Sequence, residues 1–165
     1  EQEINTSNHS KKKVGVFVNE SMENIKKKIK KYSLNYVQLH GNETPEFTKK
    51  LMSYCKVIKA FRIFENFNFD STKRYTDCCD LFLFDTFSKN FGGSGKKFDW
   101  KSLKGFNKKK FLLSGGIDID SVDQIIDLKN ENEFLFGIDI NSKFEISPGL
   151  KDVKKVNMFI KKLNK

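Results

Sequence analysis

A histidine, two aspartates and a Ser-Gly-Gly turn stand at the ends of short apolar runs in this chain. Those residue types suit acid–base chemistry on an anionic substrate. His40 follows Tyr36-Val37-Gln38-Leu39, Asp85 closes Leu81-Phe82-Leu83-Phe84, Ser114-Gly115-Gly116 follows Phe111-Leu112-Leu113, and Asp139-Ile140-Asn141-Ser142 ends the run from Phe134. A carboxyl at the end of a buried strand is desolvated unless it is paired or used, and burial favours the protonated form that a general acid requires. The structural alternative for Asp85 is to cap the turn that follows, and for His40 to be a polar cap rather than a general base. Gly115 and Gly116 ahead of a helix leave N–H groups where a phosphate could sit, because glycine nests and helix N-termini favour anions. A glycine pair after a strand is also an ordinary turn. The second polar turn at Asn141-Ser142 strengthens the phosphate reading.

Behind Asp85 runs "FSKNFGGSGKKFDW", in which Gly92, Gly93, Ser94 and Gly95 form a pliable stretch before Phe98, Asp99 and Trp100. Glycine adopts backbone angles closed to other residues, so the stretch is either a tight turn or a loop that moves.

The elements that must position these residues recur at fairly even spacing. Apolar runs of strand length lie at Val14 to Val18, Tyr36 to Leu39, Val57 to Phe61, Leu81 to Asp85, Phe111 to Leu113 and Phe134 to Ile140. They are continuous rather than alternating, as expected of parallel strands covered on both faces. Helical spacing fills several gaps: Ile25, Ile29 and Tyr32; Phe47, Leu51 and Tyr54 behind Thr44-Pro45; Val122, Ile125 and Ile126 behind Asp118 or Asp120; and Val153, Val156, Phe159, Ile160 and Leu163. Strand alternating with helix predicts about six βα units and a parallel sheet, either doubly wound or part of a barrel, with ligands at the carboxyl ends of the strands. Residues 1–13 read as a polar lead-in and 14–165 as the folded unit.

The 165 residues are 38% hydrophobic, enough for one domain with a real core. Net charge is +10, yet among 31 basic residues the arginines are Arg62 and Arg74 alone. Groove readers depend on arginine's planar fork, so a nucleic-acid partner is not expected. No run approaches the ~18 apolar residues of a membrane span. Cys55, Cys78 and Cys79 show no metal-ligand or disulfide spacing, which fits a reducing cytoplasm and implies no metal.

Taken in order, "VGVFVNES", "VQLHGNETPEF", "VIKAFRI", "LFDT", "GGSGKKFDW", "LLSGGID" and "GIDINSKFEISPGLKD" closely resemble phosphoribosylanthranilate isomerase, over residues 14 to about 163. The resemblance implies an α/β (β/α)8 TIM barrel without cofactor or metal, acting on a small phosphosugar in tryptophan biosynthesis. The implied reaction is an Amadori rearrangement of N-(5-phosphoribosyl)anthranilate to a carboxyphenylamino-deoxyribulose phosphate. It gives Asp85 the general-acid role and assigns phosphate contacts to the loops of Gly115, Gly116, Asn141 and Ser142, with Asp139 and His40 lining the pocket. It makes the stretch from Gly92 through Gly93 and Ser94 to Gly95 a lid, and lets Phe98-Asp99-Trp100 begin the helix that anchors it.

Family members begin with a strand bearing a Lys-Ile-Cys-Gly motif whose Cys is the general base, and soon after carry an Arg for the anthranilate carboxylate. This sequence matches from beyond them, so the expectation is an incomplete barrel: the last six βα units present, the first two missing, and the fragment alone inactive. Cys55, Cys78 and Cys79 each precede a strand and cannot inherit the base role. Lys143 stands where many members have Gly in a Ser-Ser-Gly turn. The alternatives are a decayed, non-catalytic paralogue or another phosphosugar-binding barrel such as indole-glycerol-phosphate synthase.

Overall fold

The computed structural model describes residues 11–86 and 98–164. Six parallel strands form one sheet in sequence order: β1 (Val14–Phe17), β2 (Tyr36–Leu39), β3 (Lys56–Ile63), β4 (Leu81–Thr86), β5 (Phe111–Leu113) and β6 (Leu135–Ile138). Each strand pairs in parallel with the next in sequence, as short connections between consecutive elements favour. The register sets Leu39 beside Lys59, Arg62 beside Asp85, and Phe84 beside Leu113, so the strand ends form one rim.

Alternation divides the side chains between two layers. Val37, Leu39, Val57, Ile63, Phe82, Phe84, Phe111 and Leu113 join the large core beneath the helices, whereas Ile58, Ala60, Leu81 and Leu83 form a smaller cluster on the opposite face. Gln38, His40, Asp85 and Ser114 continue that second face by the two-residue period. The first core is built on phenylalanine: Phe84 is fully buried and meets Phe69 and Phe106 edge-on at 5.6 and 5.0 Å between centroids. Each such burial is worth about 1.5–3 kcal/mol, with about 0.5–1.5 more for the edge-to-face geometry.

Helix α1 (Met22–Tyr32) starts where the Ser21 side chain accepts from the Asn24 N–H, buries Ile25, and stops at Ser33, whose φ is +51°. Helix α2 (Pro45–Leu51) is capped by Thr44 and opened by Pro45, but ends at Leu51. Tyr54 therefore falls outside the helix that spacing gave it. It is half-exposed, and its ring and hydroxyl are taken by Lys26.

Between β3 and β4 the chain makes a 3-10 segment, Phe69–Tyr75, rather than an α-helix. Trp100–Leu103 is likewise one 3-10 turn, capped by Asp99, so Phe98 and Asp99 lie before it instead of beginning a helix. Gly105 follows after the capping Lys104, and glycine propagates helix poorly. Asp118 caps a further 3-10 turn, Ile119–Ser121, which leads into α3 (Val122–Glu131). After β6 comes a small antiparallel hairpin that hydrophobic patterning missed, β7 (Glu145–Ser147) with β8 (Leu150–Lys151), and then α4 (Val153–Leu163). Among the described residues no helix is long and apolar enough to cross a membrane.

Candidate active site

Because successive inward positions on β2, β4 and β5 end at one rim, His40, Asp85 and Ser114 converge there, with Asp139 delivered by the end of β6. They line a cavity of about 580 Å³ together with Gln38, Gly115, Gly116, Asn141, Ser142, Lys143 and Lys151. Val14, Val16, Ile58, Leu112 and Ile138 supply its apolar floor. His40, Asp85, Ser114, Gly115, Gly116, Asp139, Asn141 and Ser142, the residues drawn from the sequence at the strand ends, all line this cavity. The lid residues Gly92, Gly93, Ser94 and Gly95 lie outside the described residues.

Asp85 Oδ2 lies 3.3 Å from His40 Nε2, and His40 Nδ1 lies 3.1 Å from the Gln38 amide nitrogen. An amide nitrogen only donates, so with Gln38 Nε2 in this position Nδ1 accepts and the neutral ring carries its proton on Nε2, toward Asp85. Two strands thus hold a Gln-His-Asp chain whose last member faces the cavity.

Asp139 is held differently. Its Oδ2 accepts from the Ser114 hydroxyl at 3.0 Å, and its backbone N–H donates to Leu113 O at 2.7 Å. Burial raises its pKa above the ordinary aspartate value, the Ser114 hydrogen bond opposes this, and the charge of Asp85 adds to the rise. A raised carboxyl pKa means that the folded state binds the proton more tightly than the unfolded one. Stability should therefore fall as pH climbs from about 4, where the unfolded carboxyl ionises, through the folded value, and level off above it. Urea midpoints measured from pH 4 to 7 should show this decline weakened in Asp139→Asn; parallel curves for the two proteins would contradict the assignment.

Gly115 and Gly116, which both line the cavity, have φ of +84° and +70°, the left-handed region that favours glycine. A Cβ on Gly115 would sit 2.4 Å from the Thr86 backbone nitrogen and 2.7 Å from Asp85 Oδ1. The glycine turn and the acid therefore touch. Lys151 donates to Asn141 Oδ1 and pairs with Glu145 at 2.6 Å, while Lys155 donates to Lys143 O at 2.6 Å. Lys143 brings a cation to the cavity. Lys151 was missed in the sequence because nothing local separates it from the chain's many other lysines.

Cys55 immediately precedes β3, and Cys78 and Cys79 precede β4, at the end of the sheet away from the cavity. Burial pushes the Cys55 and Cys79 thiols up to about 11 and about 12, which keeps them protonated and poor as bases. Among the described residues no cluster of three His, Cys, Asp or Glu could hold a metal ion.

A parallel βα sheet with its polar cavity at the carboxyl ends of the strands defines an α/β protein of TIM-barrel type. The sequence profile of N-(5'-phosphoribosyl)anthranilate (PRA) isomerase matches residues 1–162. The enzyme of that name from Parabacteroides distasonis is 44% identical over 99% of this chain and 74% of its own length. The crystal structure of phosphoribosyl anthranilate isomerase from Thermotoga maritima superposes with a TM-score of 0.80 at 35% identity, covering 92% of this chain and 72% of that one. A phosphoribosyl anthranilate isomerase crystallised with reduced 1-(o-carboxyphenylamino)-1-deoxyribulose 5-phosphate gives 0.76 at 32% identity, over 92% and 70% of the two chains. This chain belongs to the phosphoribosylanthranilate isomerase family, enzymes of tryptophan biosynthesis.

Proposed function

We propose that the cavity carries out the Amadori rearrangement of N-(5-phosphoribosyl)anthranilate, with Asp85 as general acid and the turns at Gly115-Gly116 and Asn141-Ser142 as the phosphate cradle. The observation that carries this reading is the contact between cradle and acid: a phosphosugar gripped at Gly115 has its ring next to Asp85 Oδ1. Asp85 gives its proton to the ring oxygen as the bond from that oxygen to C1' breaks, leaving an imine. The carboxylate so formed accepts from His40 Nε2–H, itself held by Gln38. A base then takes the C2' proton to give an enolamine, which tautomerises to the 2'-ketone with the proton count unchanged. Asp139, whose pKa burial raises, faces the same space as a second polar group beside the sugar. Lys143 and Lys151 add positive charge on the phosphate side.

We further infer that the six strands are an arc of an eight-stranded ring. Among the described residues β1 and β6 are the sheet's two edges, and Val14 and Val16 on β1 are 45% and 58% exposed although they line the cavity floor. Two more strands would cover that floor and bring the base to C2'. The test is 13C NMR of labelled substrate incubated with the chain, alone and with the part of the Parabacteroides relative that it does not match. Growth of a ketone signal at C2' in either sample supports the reading. Folded protein that forms no ketone in either, and binds no reduced product analogue, defeats it.

A further inference from the structure

Lys59 and Glu43 are almost fully buried, 3% and 7% exposed, and neither lines the catalytic cavity. Lys59 lies on the helix-facing side of β3, in register with Leu39. Its ammonium donates to Leu39 O at 3.3 Å, Gly41 O at 2.7 Å and Glu43 Oε2 at 2.9 Å. An ammonium has three N–H donors, so all are used. Burial alone pulls Lys59 toward its neutral form, whereas Glu43 opposes this. A neutral amine would strand one of the three acceptors, and the ion pair is the state these contacts require. Burial likewise works to raise the Glu43 pKa, but the Lys59 hydrogen bond and charge hold it below the ordinary value.

Glu43 in turn accepts from the backbone N–H of Asn19 at 2.9 Å and of Gly41 at 3.1 Å, and its carbonyl accepts from the Tyr75 hydroxyl at 2.9 Å. Asn19, at φ +52°, accepts through its side-chain Oδ1 from the Asn42 N–H at 2.7 Å. The fit is close enough that a Cβ on Gly41 would lie 2.3 Å from Asn19 Oδ1. The peptide groups on both sides of His40 are therefore fastened, from Leu39 to Glu43, by charges that never reach the cavity.

Replacing a buried ion pair by apolar side chains is often neutral or stabilising, so bulk stability is a weak reason for burying these two charges. Fixing the backbone on either side of one functional side chain is a better one. We infer that Glu43 and Lys59 are positioning residues, whose ion pair sets the direction of the His40 ring toward Asp85. The inference rests on the reading of His40 and Asp85 given above, and reaches the site through backbone alone.

The test uses Glu43→Gln, Lys59→Met and the double variant, read by melting temperature, the His40 ring 13C–1H cross-peak and affinity for the reduced product analogue. The sequence has two histidines, so His9→Asn assigns the signals. Each single variant strands a buried partner and should lower the melting temperature, move the His40 cross-peak and weaken analogue binding by about tenfold, the equivalent of ~1.4 kcal/mol. The double variant leaves no buried charge unpaired and should regain most of the melting temperature while cross-peak and affinity stay displaced. Recovery of all three in the double variant, or a wild-type cross-peak throughout, would show that the pair is only structural. If the single variants do not fold, the double variant decides alone. Failure of the wild-type protein to bind the analogue would count against the proposed function and leave the cross-peak as the measure of positioning.

Discussion

Asp85→Asn, assayed beside the part of the Parabacteroides relative that this chain does not match, is expected to lower turnover of N-(5-phosphoribosyl)anthranilate by about 10²–10⁴-fold, the usual contribution of a positioned general acid, with affinity for the reduced product analogue within about threefold of wild type. Asparagine keeps the size of the side chain and can still meet His40 Nε2, 3.3 Å from the carboxylate, through its carbonyl oxygen. It cannot deliver a proton to an ether oxygen whose bond is breaking. The loss should therefore fall on kcat, because the missing interaction exists only as the ring opens, while the cradle binds ground state and transition state alike. Steady-state kinetics beside calorimetric titration of the analogue separate the two. A variant that kept most of its rate would transfer the acid role to another group, with Asp139 the next candidate in the same cavity. Equal losses of rate and affinity would instead make Asp85 a binding residue.

Gly115→Ala should cost both stability and ligand binding, and Gly149→Ala isolates the reason. Both glycines have φ of +84°, so alanine is strained alike at the two positions, by about 1–2 kcal/mol. A Cβ at Gly149 meets nothing within 4 Å, whereas at Gly115 it runs into the backbone nitrogen and hydroxyl of Thr86 and into Asp85 Oδ1. Backbone and a carboxyl that already has a partner yield less easily than a free side-chain tip. Thr86 Oγ1 also accepts from the Phe98 N–H at 3.4 Å, so displacing it disturbs the segment that leads into Trp100–Leu103. Gly149→Ala is accordingly expected to lose ~1 kcal/mol in urea unfolding and to bind the analogue normally. Gly115→Ala should lose more, with analogue affinity down by tenfold or more, about 1.4 kcal/mol per decade. Equal behaviour of the two variants would mean that the turn at Gly115 is a plain connection and that the phosphate is held elsewhere.

The strands were legible because each is a short, continuous apolar run, the pattern left when both faces of a parallel sheet are covered. Their order followed, since one βα unit after another leaves little topological choice. The helices were read less well. Phe47, Leu51 and Tyr54 have helical spacing, yet α2 stops at Leu51 and Tyr54 turns out to Lys26. Spacing reports which residues face a common side and says nothing of where backbone hydrogen bonding ends. The 3-10 segments Phe69–Tyr75 and Trp100–Leu103 bury Tyr75 and Trp100 without a helical repeat long enough to register. The hairpin of β7 and β8 has the exposed Ile146 and Leu150 in place of a hydrophobic run.

By itself the sequence determined which groups stand at the strand ends, and hence the family: His40, Asp85, Ser114-Gly115-Gly116 and Asp139 are set by position along each run, which a period-two strand converts directly into a face. Tertiary structure alone decided which of those groups touch. The contact of Gly115 with Asp85, the Gln38-His40-Asp85 chain, and the buried Glu43 and Lys59 bridging β3 to the loop after β2 each join residues from separate strands or loops. Such pairings depend on sheet register and on the direction of each side chain, which are properties of two segments at once and leave no mark in either.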